Sequence, residues 1–237
     1  MEIKNFGSLY LNGQPSELNA VYGGGDISLG DTVPGKAIHF VKWKDLWVAS
    51  EIVCPNASWT DLNKHNFITG WPIRIDGVPY LCRSLKVGEE RYVPNEWDDI
   101  LNDLGEDNSL WHWDKMYFWG QDTAMGWNSR RVRRGYHSAR TWNCSESYFH
   151  GAGIGFRPVL EPLPLGPLVS ESLVGVNLEI YSSGYMFDGE LVDFNDYDMV
   201  ILPSGPYSIS DDCKCASIAG DNIIIDREAI AWMKKID

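Results

Sequence analysis

Two segments carry side chains at a spacing that could support catalysis or metal binding. His112 and Asp114 could form an acid–base pair, but residues i and i+2 do not share a helix face, so a structural histidine between two tryptophans is the stronger interpretation. Residues 193–198, DFNDYD, have oxygen ligands at the close spacing of a calcium loop. They lack the central glycine and the distal glutamate of an EF-hand, which favours a solvated acidic turn.

The five cysteines do not form a metal or disulfide pattern. Their odd number and wide spacing are untypical of a secreted disulfide framework. The gap in Cys213-Lys214-Cys215 is too short for a zinc knuckle, and no second pair accompanies it. We expect buried or incidental thiols, no metal and no cofactor.

The charged residues give two further candidates. Asp98 and Asp99 are a carboxylate pair, but on a predicted helix they would instead face the positive end of its dipole. Four arginines between 130 and 134 form a basic cluster that could hold a phosphate or a sialic acid. Because the net charge of the chain is −13, internal ion pairing is the stronger interpretation of that cluster. The sequence has no G-x-S-x-G and no H-E-x-x-H motif.

Composition excludes several classes of protein. The 237 residues are 44% hydrophobic and 22% charged, which is typical of a globular protein with a sizeable core. The excess of acidic residues disfavours nucleic acid and anionic membranes as partners. No apolar run is long enough to span a membrane, and the first residues show no secretory signal.

Local patterns predict the elements that would position any site. Strands are predicted over 8–11, 37–43 and 46–53, and a hairpin turns at Asp76-Gly77. A helix is predicted after the cap Asn95, ending at Gly105. The predicted organisation is an N-terminal strand and turn segment over 1–35, a ligand-binding domain over 36–162, and a linker with a small β-rich C-terminal module over 163–237. Prolines mark the linker at 161–167, and a short amphipathic helix is predicted over 226–236.

The stretch from 131 to 162 has regular ends and an irregular middle. Strands are predicted over 131–135 and 153–160, whereas the residues between them mix aromatic, polar and small side chains with no clear period. Glycines can bring backbones close together here, and the arginine stems can tie a loop that lacks its own hydrogen-bond ladder. Such a frame favours a chemically mixed surface segment held on a stiff support.

This stretch resembles a known branch of proteins. The matching residues are Arg134-Gly135, Ser138-Ala139-Arg140 and Gly155-Phe156-Arg157. They are similar to the C-type-lectin-like domains shared by formylglycine-generating-enzyme-like proteins and the variable proteins of diversity-generating retroelements. The resemblance implies an α+β C-type-lectin-like domain with short antiparallel strands and one or two helices, plus a small β-rich C-terminal extension. It also implies a scaffold built from Arg134, Gly135, Gly155, Phe156 and Arg157.

In that branch the variable, ligand-contacting residues lie on the scaffolded segment. Carried over by position, the resemblance assigns this role to Tyr136, His137, Thr141, Trp142, Asn143, Ser145, Glu146, Ser147, Tyr148 and His150. Tyrosine and tryptophan give contact area at low entropic cost, and serine, asparagine and histidine give adaptable hydrogen bonds. This composition is similar to that of an antibody paratope.

The function that follows is a non-enzymatic ligand- or receptor-binding protein. The expected partner is a cell-surface protein or glycan, and the expected setting is a phage tail tip or a bacterial surface, with a homo-oligomer such as a trimer raising avidity. Two alternatives stay open. One is a formylglycine-generating-enzyme-like enzyme, although that chemistry needs a cysteine pair and only Cys144 lies in the relevant segment. The other is a structural component of a phage particle.

Overall fold

The computed structural model describes residues 1–163, 169 and 171–236 of the chain. These residues group into two compact units. The first comprises 1–71, 75–77 and 81–162, and the second comprises 72–74, 78–80 and 163–237. The proline-rich linker predicted over 161–167 lies outside the described residues from position 164 onward.

The described part of the chain is mostly β, with 44% strand and 11% helix, three α-helices and three sheets. In chain order the strands are β1 (Ile3–Leu11), β2 (Gln14–Pro15), β3 (Ile27–Gly30), β4 (Ala37–Trp43), β5 (Leu46–Ala49), β6 (Trp71–Ile75), β7 (Val78–Arg83), β8 (Tyr117–Thr123), β9 (Arg130–Gly135), β10 (Trp142–Glu146), β11 (Ile154–Gly155), β12 (Val159–Pro162), β13 (Asn177–Ser182), β14 (Tyr185–Phe194), β15 (Asp198–Pro203), β16 (Ala216–Ala219), β17 (Asn222–Asp226) and β18 (Ile230–Lys235). The helices are α1 (Trp59–Lys64), α2 (Glu96–Leu104) and α3 (Asn108–Trp111), with 3-10 turns at Glu171–Leu173 and Arg227–Ala229.

The prediction of an α+β fold with one or two helices is therefore wrong. Residues 142–146, predicted to be irregular, form β10 on the neighbouring strand β9. The predicted C-terminal helix is instead a 3-10 turn followed by β18, which pairs with β13. In both segments an antiparallel partner outweighs local propensity, because pairing satisfies the backbone groups and buries one face of the strand.

Other predictions from local pattern are confirmed. Strand β4 has the predicted bounds, and the hairpin turns at Asp76 and Gly77 with φ of 51° and 78°, the left-handed pair of a type I′ turn. Helix α2 begins at its cap Asn95, whose side-chain oxygen accepts from the Asp98 amide at 3.0 Å. It ends at Gly105, where φ is 86°. Strand β5 stops at Ala49, four residues before its predicted end.

The sheets keep sequence-distant strands together. The largest has the order β2-β1-β4-β5-β12-β7-β6, with β3 also paired to β1. The second has the order β10-β9-β8-β11, in which only β11 runs parallel to its neighbour. The third, β16-β17-β15-β14-β13-β18, belongs to the second unit and has its own core around Leu178, Ile180 and Phe187. The candidate site lies on the second sheet.

Arg157 is the central residue of the first unit. It is fully buried, and its guanidinium donates to the carbonyls of Ala49 and Ser50, both at 2.6 Å, and to the carbonyl of Trp111. Its Cζ lies 4.9–5.8 Å from the ring centroids of Trp97, Trp111 and Phe118. Contacts with carbonyl dipoles and aromatic faces thus replace the water that the buried cation has lost.

We expect Arg157→Met to lower the free energy of unfolding by about 3 kcal/mol or more, because it leaves three buried carbonyls without their donor. Arg91→Met is the control, since Arg91 is exposed, and it should change stability by less than about 0.5 kcal/mol. Urea denaturation followed by tryptophan fluorescence measures both. Equal effects would show that the buried guanidinium is not a structural tie.

Gly155 should tolerate alanine less well than Gly153. A Cβ at Gly155 would lie 2.6 Å from the Val53 carbonyl oxygen and 3.2 Å from that of Cys54, whereas a Cβ at Gly153 would lie 3.3 Å from the nearest carbonyl. Gly155→Ala should therefore cost about 1–3 kcal/mol, the usual cost of overpacking, and Gly153→Ala clearly less. Thermal unfolding of the two variants tests the difference. The reverse order would contradict this account of the close approach.

Candidate functional site

The segment predicted to contact ligand forms a two-stranded ribbon, β9 and β10, joined by residues 136–141. Trp142 lies opposite Arg134, Asn143 opposite Arg133 and Ser145 opposite Arg131. Successive side chains of a strand point to opposite faces of a sheet. The ribbon therefore divides the predicted ligand-contacting residues between an inner face, which packs on the core, and an outer face.

Trp142 belongs to the inner face. It packs with Cys144 against the main core, which includes Val132 and Phe118. Its indole Nε1 donates to the Gly88 carbonyl at 3.0 Å. The ring thereby holds the backbone near Gly88 against the sheet, which is a structural role for a residue predicted to contact ligand.

The outer face carries a stack of rings. The Arg133 guanidinium lies 4.2 Å from the centroid of the Tyr117 ring, and that ring stacks on Tyr136 with centroids 4.9 Å apart and planes at 17°. Tyr136 in turn meets the edge of His137, with centroids 4.8 Å apart. Asn143 reaches the same stack, with its Nδ2 3.4 Å from the Tyr117 hydroxyl. Burial lowers the pKa of Arg133, and the neighbouring Tyr117 opposes this shift. We call these five residues the ring stack.

Tyr136 is held in an unusual backbone conformation, with φ of 84°. Its amide donates to the Trp113 carbonyl at 2.9 Å, and its carbonyl accepts from the Lys115 amide at 3.0 Å. A positive φ at a non-glycine residue costs on the order of 1–3 kcal/mol and persists only where the surroundings impose it. The two hydrogen bonds and the stacked ring do so here, and they fix the direction of the Tyr136 side chain before any ligand binds.

The residues after β10 continue the exposed surface towards α1. Tyr148 is 67% exposed, and Phe149 lies beside it with its ring centroid 5.6 Å from the Arg133 guanidinium. His150 is anchored, because its Nδ1 is 2.8 Å from the Asn56 carbonyl oxygen. The carbonyl of Ser147 accepts from the Thr60 amide at 3.0 Å.

The remaining predicted residues lie in local polar contacts. Glu146 accepts from the Arg130 Nε at 3.1 Å, and hydrogen bonds from Ser129 and Arg130 hold the pKa of its carboxyl below the usual range. Thr141 closes the turn between the strands, since its Oγ1 accepts from the Ser138 amide at 3.1 Å. Ser145 is half-buried on the outer face. The structure therefore brings Tyr136, His137, Asn143, Ser145 and Tyr148 to exposed or half-exposed positions, and holds Thr141, Trp142 and Glu146 in internal contacts.

One member of the outer surface, Phe149, carried no distinctive sequence signal, because it is an apolar residue between two predicted contacts. Tyr117 is 8% exposed and lies beneath Tyr136 on the outer face of β8, whereas its neighbour Phe118 enters the main core on the other face. Only the pairing register separates the two roles.

The five scaffold residues implied by the resemblance are all buried. Arg134 and Arg157 are buried, and Phe156 is a core residue. Gly135 has φ of 106°, and a side chain there would collide with the Met116 carbonyl. Gly155 approaches the backbone at Val53 just as closely.

The catalytic and metal candidates do not assemble into a centre. His112 adopts the left-handed conformation at the end of α3, and Asn195 closes the acidic turn by accepting from the amides of Tyr197 and Asp198. The five cysteines are free thiols, and burial raises the pKa of Cys54 to about 12. Across 1–163, 169 and 171–236, no group of three or more His, Cys, Asp or Glu residues is arranged to hold a metal ion. Within the same residues, no helix combines the length and apolar character needed to cross a membrane.

Comparison with known proteins gives no match to a family model, to a curated protein or to a solved structure. The resemblance read from the sequence around residues 134–157 therefore stays a prediction. The candidate site rests on its own geometry.

Two aromatic residues of the same segment should differ in their effect on stability. Trp142→Ala removes core packing and the donor to Gly88, so the free energy of unfolding should fall by about 2 kcal/mol or more. Tyr148→Ala removes an exposed ring and should change it by less than about 0.5 kcal/mol. Urea denaturation of both variants is the measurement, and similar values would contradict the division of the ribbon into inner and outer faces.

Proposed function

We propose that the protein is a non-enzymatic binding protein and that the outer face of the β9/β10 ribbon recognises a protein on a cell surface. The observation that carries this proposal is the ring stack, which is fixed by the strained backbone of Tyr136 and by Arg133 before binding. A preorganised surface loses little conformational entropy on association, so more of the contact energy appears as affinity.

The chemistry of the outer face favours a protein partner. Tyrosine, histidine and asparagine side chains are arranged across a sheet face, and Tyr148 and Phe149 extend it with exposed rings. Rigid aromatic anchors with adaptable hydrogen-bonding neighbours are typical of surfaces that bind folded proteins. The resemblance to variable retroelement proteins supports the same role, and it supports display on a phage tail tip or a bacterial surface.

Side chains on the outer face can also be exchanged at little cost in stability. The side chains of His137 and Tyr148 are exposed, and the core is filled by the opposite face. Exchanges at such positions usually alter stability by less than about 0.5 kcal/mol, so new partners can be recognised without refolding the support. Arg134 and Arg157 keep that support constant.

The test is binding of the fluorescently labelled full chain to intact cells from a panel of bacterial strains. Tyr136→Ala/Tyr148→Ala should reduce binding to positive strains at least tenfold, because hot-spot aromatics dominate interface energy. Tyr197→Ala is the matched control, since Tyr197 is 74% exposed in the second unit, and it should bind as the wild type does.

Pretreatment of the cells identifies the partner class. Protease should abolish binding and periodate oxidation of glycans should leave it unchanged. The proposal is contradicted if no strain is bound, or if the double variant binds as well as the control. Loss of binding after periodate alone would replace the protein partner by a glycan.

A further inference from the structure

A groove on the inner side of the ribbon has features of a second site. Its volume is about 720 Å³, and the residues that line it include Arg91, Tyr92, Arg134, Ser138, Thr141 and Trp142. It lies in the first unit. Trp142 forms part of its wall, whereas the ring stack is on the opposite face of the same strands.

Arg134 gives this groove two nitrogen donors that have no acceptor. Its side chain is 1% exposed, and its Nη2 donates to the Asp98 carboxylate. Its Nε and Nη1 are buried and have no hydrogen-bond partner among the described residues. A buried donor without an acceptor destabilises the fold, so an oxygen anion that reaches these atoms from the groove would relieve an existing penalty.

The carboxylate of Asp98 is already occupied by internal donors. Its Oδ1 accepts from Arg134 and also lies 3.4 Å from the Arg140 Nη1, and its Oδ2 accepts from the Asn95 Nδ2 at 2.6 Å. One carboxylate is therefore shared by two guanidinium groups. Arg140 has a second and closer partner, because its Nε donates to the Glu106 carboxylate, whereas Asp98 is the ion-pair partner that the described residues give Arg134.

Arg91 adds a cation that has no carboxylate partner. It is exposed, and the structure gives it no ion pair with another described residue. The groove is lined by three arginines, at 91, 134 and 140, and by two aspartates, at 98 and 99, and Glu106 pairs with Arg140 from outside the lining. The groove is thus close to neutral in a chain with a net charge of −13, so an anion would meet less repulsion there than at the strongly acidic surface as a whole.

The other lining groups suit a sugar ring. Tyr92 is 89% exposed and Trp142 is half-buried, so both present aromatic surface to the groove. Ser138 and Thr141 bring hydroxyls, and Asn102 accepts from the Arg140 Nη2 at 2.9 Å, which leaves its amide hydrogens for a ligand. Aromatic walls with a few convergent polar groups are the usual form of a small-molecule site.

We propose that this groove binds a carboxylated sugar, such as a sialic or uronic acid. Arg134 and Arg91 supply the donors for the carboxylate, and Tyr92 and Trp142 pack on the apolar face of the ring. Charge-assisted hydrogen bonds from guanidinium to carboxylate are the strongest polar contacts available in such a site. The site goes beyond the proposed protein-binding face and does not depend on it.

Isothermal titration of the full chain tests the ligand class. Methyl glycosides of N-acetylneuraminic acid and glucuronic acid are compared with methyl glucoside, sodium acetate and sodium sulfate. At least one acidic sugar should bind with a dissociation constant of about 1 mM or below, and at least tenfold more tightly than the neutral sugar and both simple anions. Equal binding of the neutral sugar, binding of sulfate in preference to the sugars, or no binding of either acidic sugar would overturn the proposal.

Variants at exposed positions test the residues without unfolding the chain. Arg91→Ala should weaken binding of the acidic sugar about tenfold, the change expected on removal of a charged hydrogen bond, and Tyr92→Ala should weaken it severalfold. Lys64→Ala removes an exposed charge at the end of α1 and should leave it unchanged. Wild-type affinity in Arg91→Ala would overturn the assignment.

Testing each variant in the assay of the other site shows whether the two sites are independent. Tyr136→Ala/Tyr148→Ala should bind the acidic sugar as the wild type does, and Arg91→Ala should bind cells as the wild type does. If cell binding fails and sugar binding holds, only the proposed function is lost. If Arg91→Ala abolishes cell binding, the groove belongs to the same recognition surface and its independence is disproved.

Discussion

The first unit depends on a cation that is buried without a hydrogen-bonded carboxylate. Arg157 ties the end of β5, through the carbonyls of Ala49 and Ser50, to the end of α3 at Trp111. Burial lowers its pKa to about 9, so it is charged at neutral pH in the folded and unfolded states alike, and the burial cost is present in full. As the pH rises past 9 the unfolded chain, in which the arginine pKa has its higher ordinary value, keeps the proton longer, so the free energy of unfolding rises with pH through this group. Carbonyl dipoles and aromatic faces must offset the cost at lower pH.

The same tie positions the ring stack. Phe118 lies against the Arg157 guanidinium, and its burial fixes the register of β8. Because side chains alternate along a strand, Tyr117 must then point to the opposite face, where it is buried beneath Tyr136, which stacks on it. The backbone strain at Tyr136 can be sustained because Trp113 and Lys115, which precede β8, hold both of its peptide groups. A stiff interior thus determines an exposed arrangement that no local preference would produce.

Features with a local cause could be predicted from the sequence. The Asp76-Gly77 turn, the Asn95 cap and the alternation of β4 each need only neighbouring residues. Features that depend on pairing with a strand distant in sequence could not be predicted in this way. Strand β10 has mixed side chains with no clear period, and it is a strand because Trp142 to Glu146 pair with β9. In the C-terminal segment Ile230 and Met233 have helical spacing, yet they share one core because the register of β18 against β13 shifts between Ile230 and Trp232. Strands that local pattern did not indicate, such as β10 and β18, account for the mostly β fold.

The pairing also changes what a contiguous segment can do. Residues 142–146, if irregular, could all face a ligand, whereas as β10 they face two environments in turn. Asn143 and Ser145 meet the outer surface, and Trp142 and Cys144 meet the core. Exchange at the first pair leaves packing intact, because the core does not contact them, and exchange at the second pair disturbs the contact with Gly88 and the wall of the groove. Adjacent residues of β10 are therefore constrained differently, and the alternation of a strand allows side chains on one face to change while the groove on the other face keeps its shape.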